Sequence, residues 1–166
     1  MPVIRNAVFV IVFCLLALLA IPAHTADQDE TEVLALADLA LQRITEEDFV
    51  GLTDLMIDSA VAYATSVRDG GYSVQSRSYT EQRESVVEAD FVERGFAPTV
   101  LVSGTVAMVW YPYDFYSDGE WSHCGVDIFN MVRTNDGWRI ANMAWSADQP
   151  PICNPHPDGP PVAPTE

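Results

Sequence analysis

The chain contains no lysine. Its eight cations are all arginine, set against 24 acids, for a formal net charge of −16. A surface this acidic repels phosphate, which argues against nucleic acid and anionic membrane as partners. Cysteine is scarce as well, with Cys14, Cys124 and Cys153 only. No phosphate-binding glycine loop, zinc-protease helix motif, nucleophile elbow or paired CxxC occurs, which removes the enzyme classes built on them. The longest uncharged apolar run, Ala7 to Ile21, has 15 residues, short of the roughly 20 that a spanning helix needs.

That run has a different reading. Arg5 precedes it and the small-residue stretch "PAHTA" follows it, ahead of the acidic "DQDE". This is the order of a secretory signal, residues 1–26, so the expectation is an exported protein, periplasmic or extracellular, with no stable membrane anchor after cleavage. No lipobox precedes Cys14. In an oxidising compartment Cys124 and Cys153 either join in a disulfide or stay two free thiols, and spacing alone does not choose between them.

Val33, Leu36, Ala37, Ala40, Leu41 and Ile44 recur at helical spacing and predict an amphipathic helix over about 31–44. Thr45 with Asp48 reads as a cap for a second, shorter helix carrying Phe49, Leu52, Leu55 and Met56. "AVAYATSV" (60–67) and "YSVQSRS" (72–78) read as strands around a "DGG" turn, and Thr80 as the cap of a short helix reaching about Ala89. The remainder is β: a broken strand in "FVERGFAPTVLVSG", then long strands over 105–116, 121–133 and 138–146. From Gln149 onward the tail holds seven of the eleven prolines and is expected to be extended or disordered. Helices first and an antiparallel meander after them predict an α+β domain over 27–147, with its N-terminal helices packed into a curved, mostly antiparallel sheet.

Asp118-Gly119 is a preferred two-residue hairpin loop, so Ser117 should pair with Glu120. Carried along regularly, that register puts Met108, Trp110, Asp114, His123, Asp127 and Phe129 on one large, apolar, inward face. Tyr111, Tyr113, Ser122, Cys124 and Val126 then take the other. Parity across the next hairpin adds Trp138, Ile140, Asn142 and Ala144 to the inner face, and any break of parity flips these assignments. On this register Cys124 points away from His123 and Asp127, so the three do not form a metal site. His123 and Asp127 lie four residues apart, about 13 Å at ~3.3 Å per residue, so they cannot touch but can line one pocket. Asp114 opposite His123 would form a carboxylate–imidazole dyad, either an acid–base pair or a structural tie. Asp127, inward among Trp110, Met108 and Phe129, would be either a general base or a satisfied structural acid. Asn142 could orient a ligand or bridge strands. No cofactor is implied.

The ordered set "PYDFY", a "DG" turn, "SHCGVD" and the terminal "DGWRI", together with a helix pair over 31–59 followed by "AVAYAT", resembles the nuclear transport factor 2-like superfamily. Its SnoaL-like and lumazine-binding-like branches are the most similar. The resemblance spans roughly residues 30 to 146. It implies a cone-shaped fold around a deep apolar pocket, and often a homodimer formed through the outer sheet face. The superfamily includes isomerases, dehydratases and cyclases as well as non-catalytic binding and scaffold domains, so three readings follow. The first is a domain binding a small apolar or aromatic molecule, with Trp110, Met108, Phe129 and Asn142 at the pocket. The second is a proton-transfer enzyme using Asp127, or Asp114 with His123. The third is a dimeric scaffold module.

Overall fold

A computed structural model describes residues 25–68 and 70–162. The signal-like segment lies outside the described residues. Among the described residues, no helix is long and apolar enough to cross a membrane.

Helix α1 (Ala26–Thr45) starts at Thr25, whose side chain accepts the Gln28 N–H. Asp27 and Asp29 in its first turn suit the positive end of the helix dipole. Thr45 closes α1 rather than opening the next helix. Its hydroxyl is taken up by the backbone of Glu93, accepting that N–H at 3.0 Å. The cap of α2 (Phe49–Asp54) is instead Asp48, which accepts from the Gly51 N–H at 2.7 Å. Met56 therefore opens strand β1 (Met56–Arg68), which turns into β2 (Gly71–Ser78). A short α3 (Tyr79–Arg83) is capped two residues earlier than expected, by Ser78 in a reciprocal capping box with Glu81, and it stops well before Ala89.

Strands β3 (Phe91–Gly95) and β4 (Thr99–Ser103) are the two halves of the broken strand. Both pair with β5 (Val106–Ser117), β3 along one half of its edge and β4 along the other. β6 (Glu120–Thr134) and β7 (Gly137–Ala147) complete the meander. The sheet runs in the order β2-β1-β7-β6-β5-β3, with β4 as a seventh strand beside β5, and is antiparallel except where β7 lies parallel to β1. α1 packs across the concave side, where Val33, Ala37, Ala40 and Leu41 join Val109, Phe129, Met131 and Ile140 in one core. The Arg133–Asp29 ion pair ties the start of α1 to β6.

Two irregularities decide which side chains face that core. The β5–β6 hairpin turns at Asp118-Gly119 with both φ positive, as a type I′ loop requires, and Ser117 pairs with Glu120 as expected. At Ser122 the register slips by one residue, so Phe115 rather than Asp114 pairs with His123. Beyond this bulge every face assignment in β5 inverts. Tyr111, Tyr113 and Phe115 turn inward with His123, Asp127 and Phe129. Trp110, Met108 and Asp114 turn outward, against the expectation for all three. A second slip at Ala141 does the same to β7. Trp138 and Ile140 are inside, but Met143 and Trp145 follow them instead of Asn142 and Ala144. Asn142 lies on the outer side and accepts a hydrogen bond from Asn130 at 2.9 Å.

Gly125 lies close against β7, where an added Cβ would overlap the Ser146 carbonyl. Since backbone is what it meets, relief requires moving a strand. Gly125→Ala should lose about 2–3 kcal/mol of stability, read as a lower denaturant midpoint. A loss under about 0.5 kcal/mol, the range of a neutral surface change, would refute that account.

The proline-rich tail is held along its described part, to residue 162. Cys153 is disulfide-bonded to Cys124, with 5.7 Å between their Cα atoms. Asp148 bridges to Cys124 through backbone hydrogen bonds. Asp114, fully buried, receives Arg94 through two nitrogens, at 3.0 and 2.6 Å. It also accepts the His156 N–H at 2.9 Å, while Arg94 reaches the Gly159 carbonyl at 2.8 Å. The tail so roofs one end of the outer sheet face. The expectation of an extended or disordered tail counted the tail's own apolar content and not these anchors.

Candidate functional site

The inward turn of β3, β5, β6 and β7 leaves a cavity of about 200 Å³ between the sheet and the three helices. Its walls are largely apolar: Ile44, Phe49 and Leu52 from α1 and α2, Phe91 and Phe115 from the sheet, and Met143 and Trp145 from β7. The Phe91 and Phe115 rings meet edge to face at 4.9 Å between centroids. Glu93, Asp127, Gln82, Tyr113 and His123 supply the polar lining, and exposed Arg77 stands on β2.

Glu93 reaches this cavity because β3 pairs with β5 through Glu93 and Phe115, and paired residues share a face. Asp127 reaches it opposite Tyr111 and keeps 1% exposure. Glu93 is part-buried as a whole residue, but its Oε2 is fully enclosed. The two carboxyls interact directly. Burial pushes Glu93 up to about 8, and burial together with the Glu93 charge lifts Asp127 well above the usual carboxylate range. Two carboxylates in one dry site cannot both ionise at neutral pH, so the pair retains a proton.

Three enclosed oxygens line the cavity, Glu93 Oε2, Asp127 Oδ2 and Gln82 Oε1, and apart from the proton the two carboxyls share, no group among the described residues donates to them. Tyr113, by contrast, is satisfied, donating to the Ser146 carbonyl at 3.0 Å. Burial, then the charges of Asp127, Glu93 and Asp148, hold its phenol neutral. The His123 ring stacks on Phe115 at 4.9 Å and meets Tyr113 edge-on at 5.7 Å. Its Nδ1 lies 2.9 Å from the Ser122 hydroxyl. Burial lowers its pKa despite the opposing pull of Asp148, so the imidazole is neutral at pH 7.

Of the residues expected at the site from sequence, Asp127 and His123 line the cavity. Phe129 is inside but fully buried in the core beside α1. Trp110 is 43% exposed on the outer face, and Met108, Asn142 and Asp114 lie on that face too. The Asp114–His123 dyad does not form, because the Ser122 bulge puts the two on opposite sides of the sheet. Cys124 is on the outer side with Cys153. Among the described residues, no group of three or more His, Cys, Asp or Glu is placed to hold a metal ion. Sequence reasoning missed Glu93, Gln82, Tyr113, Phe115 and Trp145. The signal for Glu93 was present in "FVERG", where an inward Phe91 carries Glu93 with it by alternation, but no hairpin register anchored that strand.

No family model matches the chain, and no curated protein does. Solved structures do. A nuclear transport factor 2-like superfamily protein from Salmonella enterica superposes with a TM-score of 0.62 at 16% identity, covering 76% of this chain and 96% of that one. The beta subunit of a suspected aromatic-ring-hydroxylating dioxygenase from Novosphingobium aromaticivorans gives 0.62 at 11% identity, covering 79% and 99%. The chain has the nuclear transport factor 2-like fold. A suspected dehydratase of that family from Streptomyces avermitilis shares it at a TM-score of 0.56 and 21% identity, covering 74% of this chain and 98% of that one. These similarities establish architecture. A fold of this kind hosts many functions, so the role of this domain rests on its cavity.

Proposed function

We propose that the protein binds a small, largely apolar or aromatic molecule in the cavity, with Asp127, Glu93 and Gln82 holding its polar end. The observation that carries this is the set of three enclosed oxygens, with one shared proton between two of them and no other donor, in a largely apolar chamber. Each unpartnered buried acceptor costs about 1–3 kcal/mol, and a ligand bearing donors recovers that. Apolar cavities of about 150 Å³ admit benzene, so a chamber of about 200 Å³ suits one ring with a short substituent. An open chamber also weighs against a pure scaffold, whose own side chains would fill the space.

Two raised carboxyls sharing a proton favour a second reading, a proton-transfer enzyme of isomerase, dehydratase or cyclase type, with Asp127 and Glu93 as the acid–base pair. Export is supported by the N-terminal apolar run and by the disulfide, which persists in oxidising compartments. Pairing of two copies is supported by exposed Tyr63, Leu101, Val106 and Trp110 on the sheet outside the tail. Native mass spectrometry of the exported protein reads a retained ligand and the subunit count together. A fragment screen on wild type and Asp127→Ala should show ring-sized binders weakened about tenfold or more by the variant, the effect of losing a hydrogen bond to a charged group. Equal binding by both proteins would remove Asp127 from the site under either reading.

A further inference from the structure

The chemistry of the three unpartnered atoms narrows the ligand. All are acceptors: two carboxyl oxygens and one amide oxygen. Among the described residues, no buried donor at the cavity is left unpartnered beside them apart from the proton the two carboxyls share, and a cation can take that proton's place. A hydroxyl would bring one donor along with lone pairs needing donors of their own, and a carboxylate would bring only acceptors. A primary ammonium brings three N–H donors and no acceptor. Resting on the pocket reading above, we propose that the ligand is a primary amine on a single-ring apolar body, bound as its cation with the ammonium among Glu93, Asp127 and Gln82.

Every element around the cavity is compatible with this. β3 and β6 present the two carboxyls, and α3 presents the Gln82 oxygen. α1 and α2 contribute only the apolar Ile44, Phe49 and Leu52. The rings of Phe91, Phe115 and Trp145 offer faces to an organic cation. Tyr113 on β5 and His123 on β6 are uncharged, so neither repels it. Arg77 on β2 is the one cationic lining residue. It is exposed, hence screened by water, and it pulls neither carboxyl down: burial displaces both upward, and the Glu93 charge adds to this at Asp127. The net charge of −16 draws cations toward the protein and disfavours anions. An arriving ammonium favours the ionised pair, so binding should expel the shared carboxyl proton to solvent.

The test is calorimetric titration of the full chain with 2-phenylethylamine, 2-phenylethanol and phenylacetate, three probes of one size and different heads. The amine should bind about tenfold or more tightly than the alcohol, as expected when hydrogen bonds to a charged group replace neutral ones. Comparing buffers of different ionisation heat should reveal proton release, and amine affinity should rise with pH toward about 8, where Glu93 titrates. Asp127→Asn should weaken the amine about tenfold while leaving the alcohol within about twofold. Gln82→Met, a gentler change of similar volume, should weaken the amine severalfold. Equal binding of alcohol and amine would overturn the cationic ligand and leave the pocket reading standing. Preference for phenylacetate would overturn it in favour of control by Arg77. If none of the three binds, the amine inference falls, and the pocket reading is judged on its own fragment screen.

Discussion

Between about pH 5 and about pH 9 the protein should lose on the order of 4 kcal/mol of folding stability through the Glu93–Asp127 pair, and the double variant Glu93→Gln, Asp127→Asn should remove most of that loss. An acid whose folded pKa is raised holds its proton more tightly in the native state than in the unfolded chain. Its stabilising contribution is complete below the unfolded value of 4.5 and is lost as pH climbs through the folded value of about 8. Each pH unit of that window is worth about 1.4 kcal/mol. The sign opposes the usual carboxylate case, because here burial and a like charge disfavour ionisation and no cation compensates. His123 works in the opposite direction at the acid end. Burial depresses its pKa, so its contribution is present above about 6.5 and is lost as pH falls. The difference between wild type and the double variant isolates the pair, since His123 is common to both. In the double variant neither buried carboxyl remains to ionise, and the slope above about pH 6 should flatten. Denaturant melts at fixed salt across the range give the answer. Parallel pH profiles for the two proteins would mean that the carboxyls do not share a buried site.

Loss of the disulfide should cost about 3–4 kcal/mol, the loop-closure value for a sequence separation of 29. The double variant Cys124→Ala, Cys153→Ser avoids leaving a buried free thiol. The consequences should be local as well as global. With the covalent anchor gone, the tail is held chiefly by Asp114, Arg94 and the backbone of residues 148, 156 and 159. Amide exchange should then rise across 149–162, while α1 and the central strands retain most of their protection. The cavity lies on the other side of the sheet from the tail, so ligand affinity should stay within about twofold, as expected for distant independent sites. An unchanged denaturant midpoint on reduction would show that the noncovalent clasp at Asp114 suffices by itself.

Much of the architecture could be read from local pattern. The 3.6-residue recurrence in α1, the strand alternation and the Asp118-Gly119 turn each depend on residues close together in the chain, and each is where it was expected. The α+β order, helices ahead of an antiparallel meander, follows from them. So does the inward orientation of His123 and Asp127, because these two lie past the Ser122 bulge on the strand whose alternation remains regular to Phe129 and Met131.

The β5 face was decided elsewhere. A bulge adds one residue at Ser122 without disturbing the alternation on either side, so parity inverts while each segment still reads as a strand. Trp110, Met108 and Asp114 were placed by counting across that point, and Asn142 by counting across Ala141. The energy that selects the bulged register comes from contacts distant in sequence: Tyr113 with Ser146, Gly125 against the Ser146 carbonyl, and Asp114 beneath the tail. The same holds for Glu93, whose role exists only because β3 returns to the edge of β5 and brings its carboxyl to Asp127. By itself the sequence determined the elements, their order, the acidity of the chain and the presence of an inward acid on β6. Only the tertiary structure decided that this acid has a buried partner, that an amide oxygen joins them, and that the proline-rich tail is clamped. The physical reason is that propensity and periodicity act over one turn or one strand, whereas registers, shared protons and buried clasps are set by free energies gained between segments tens of residues apart.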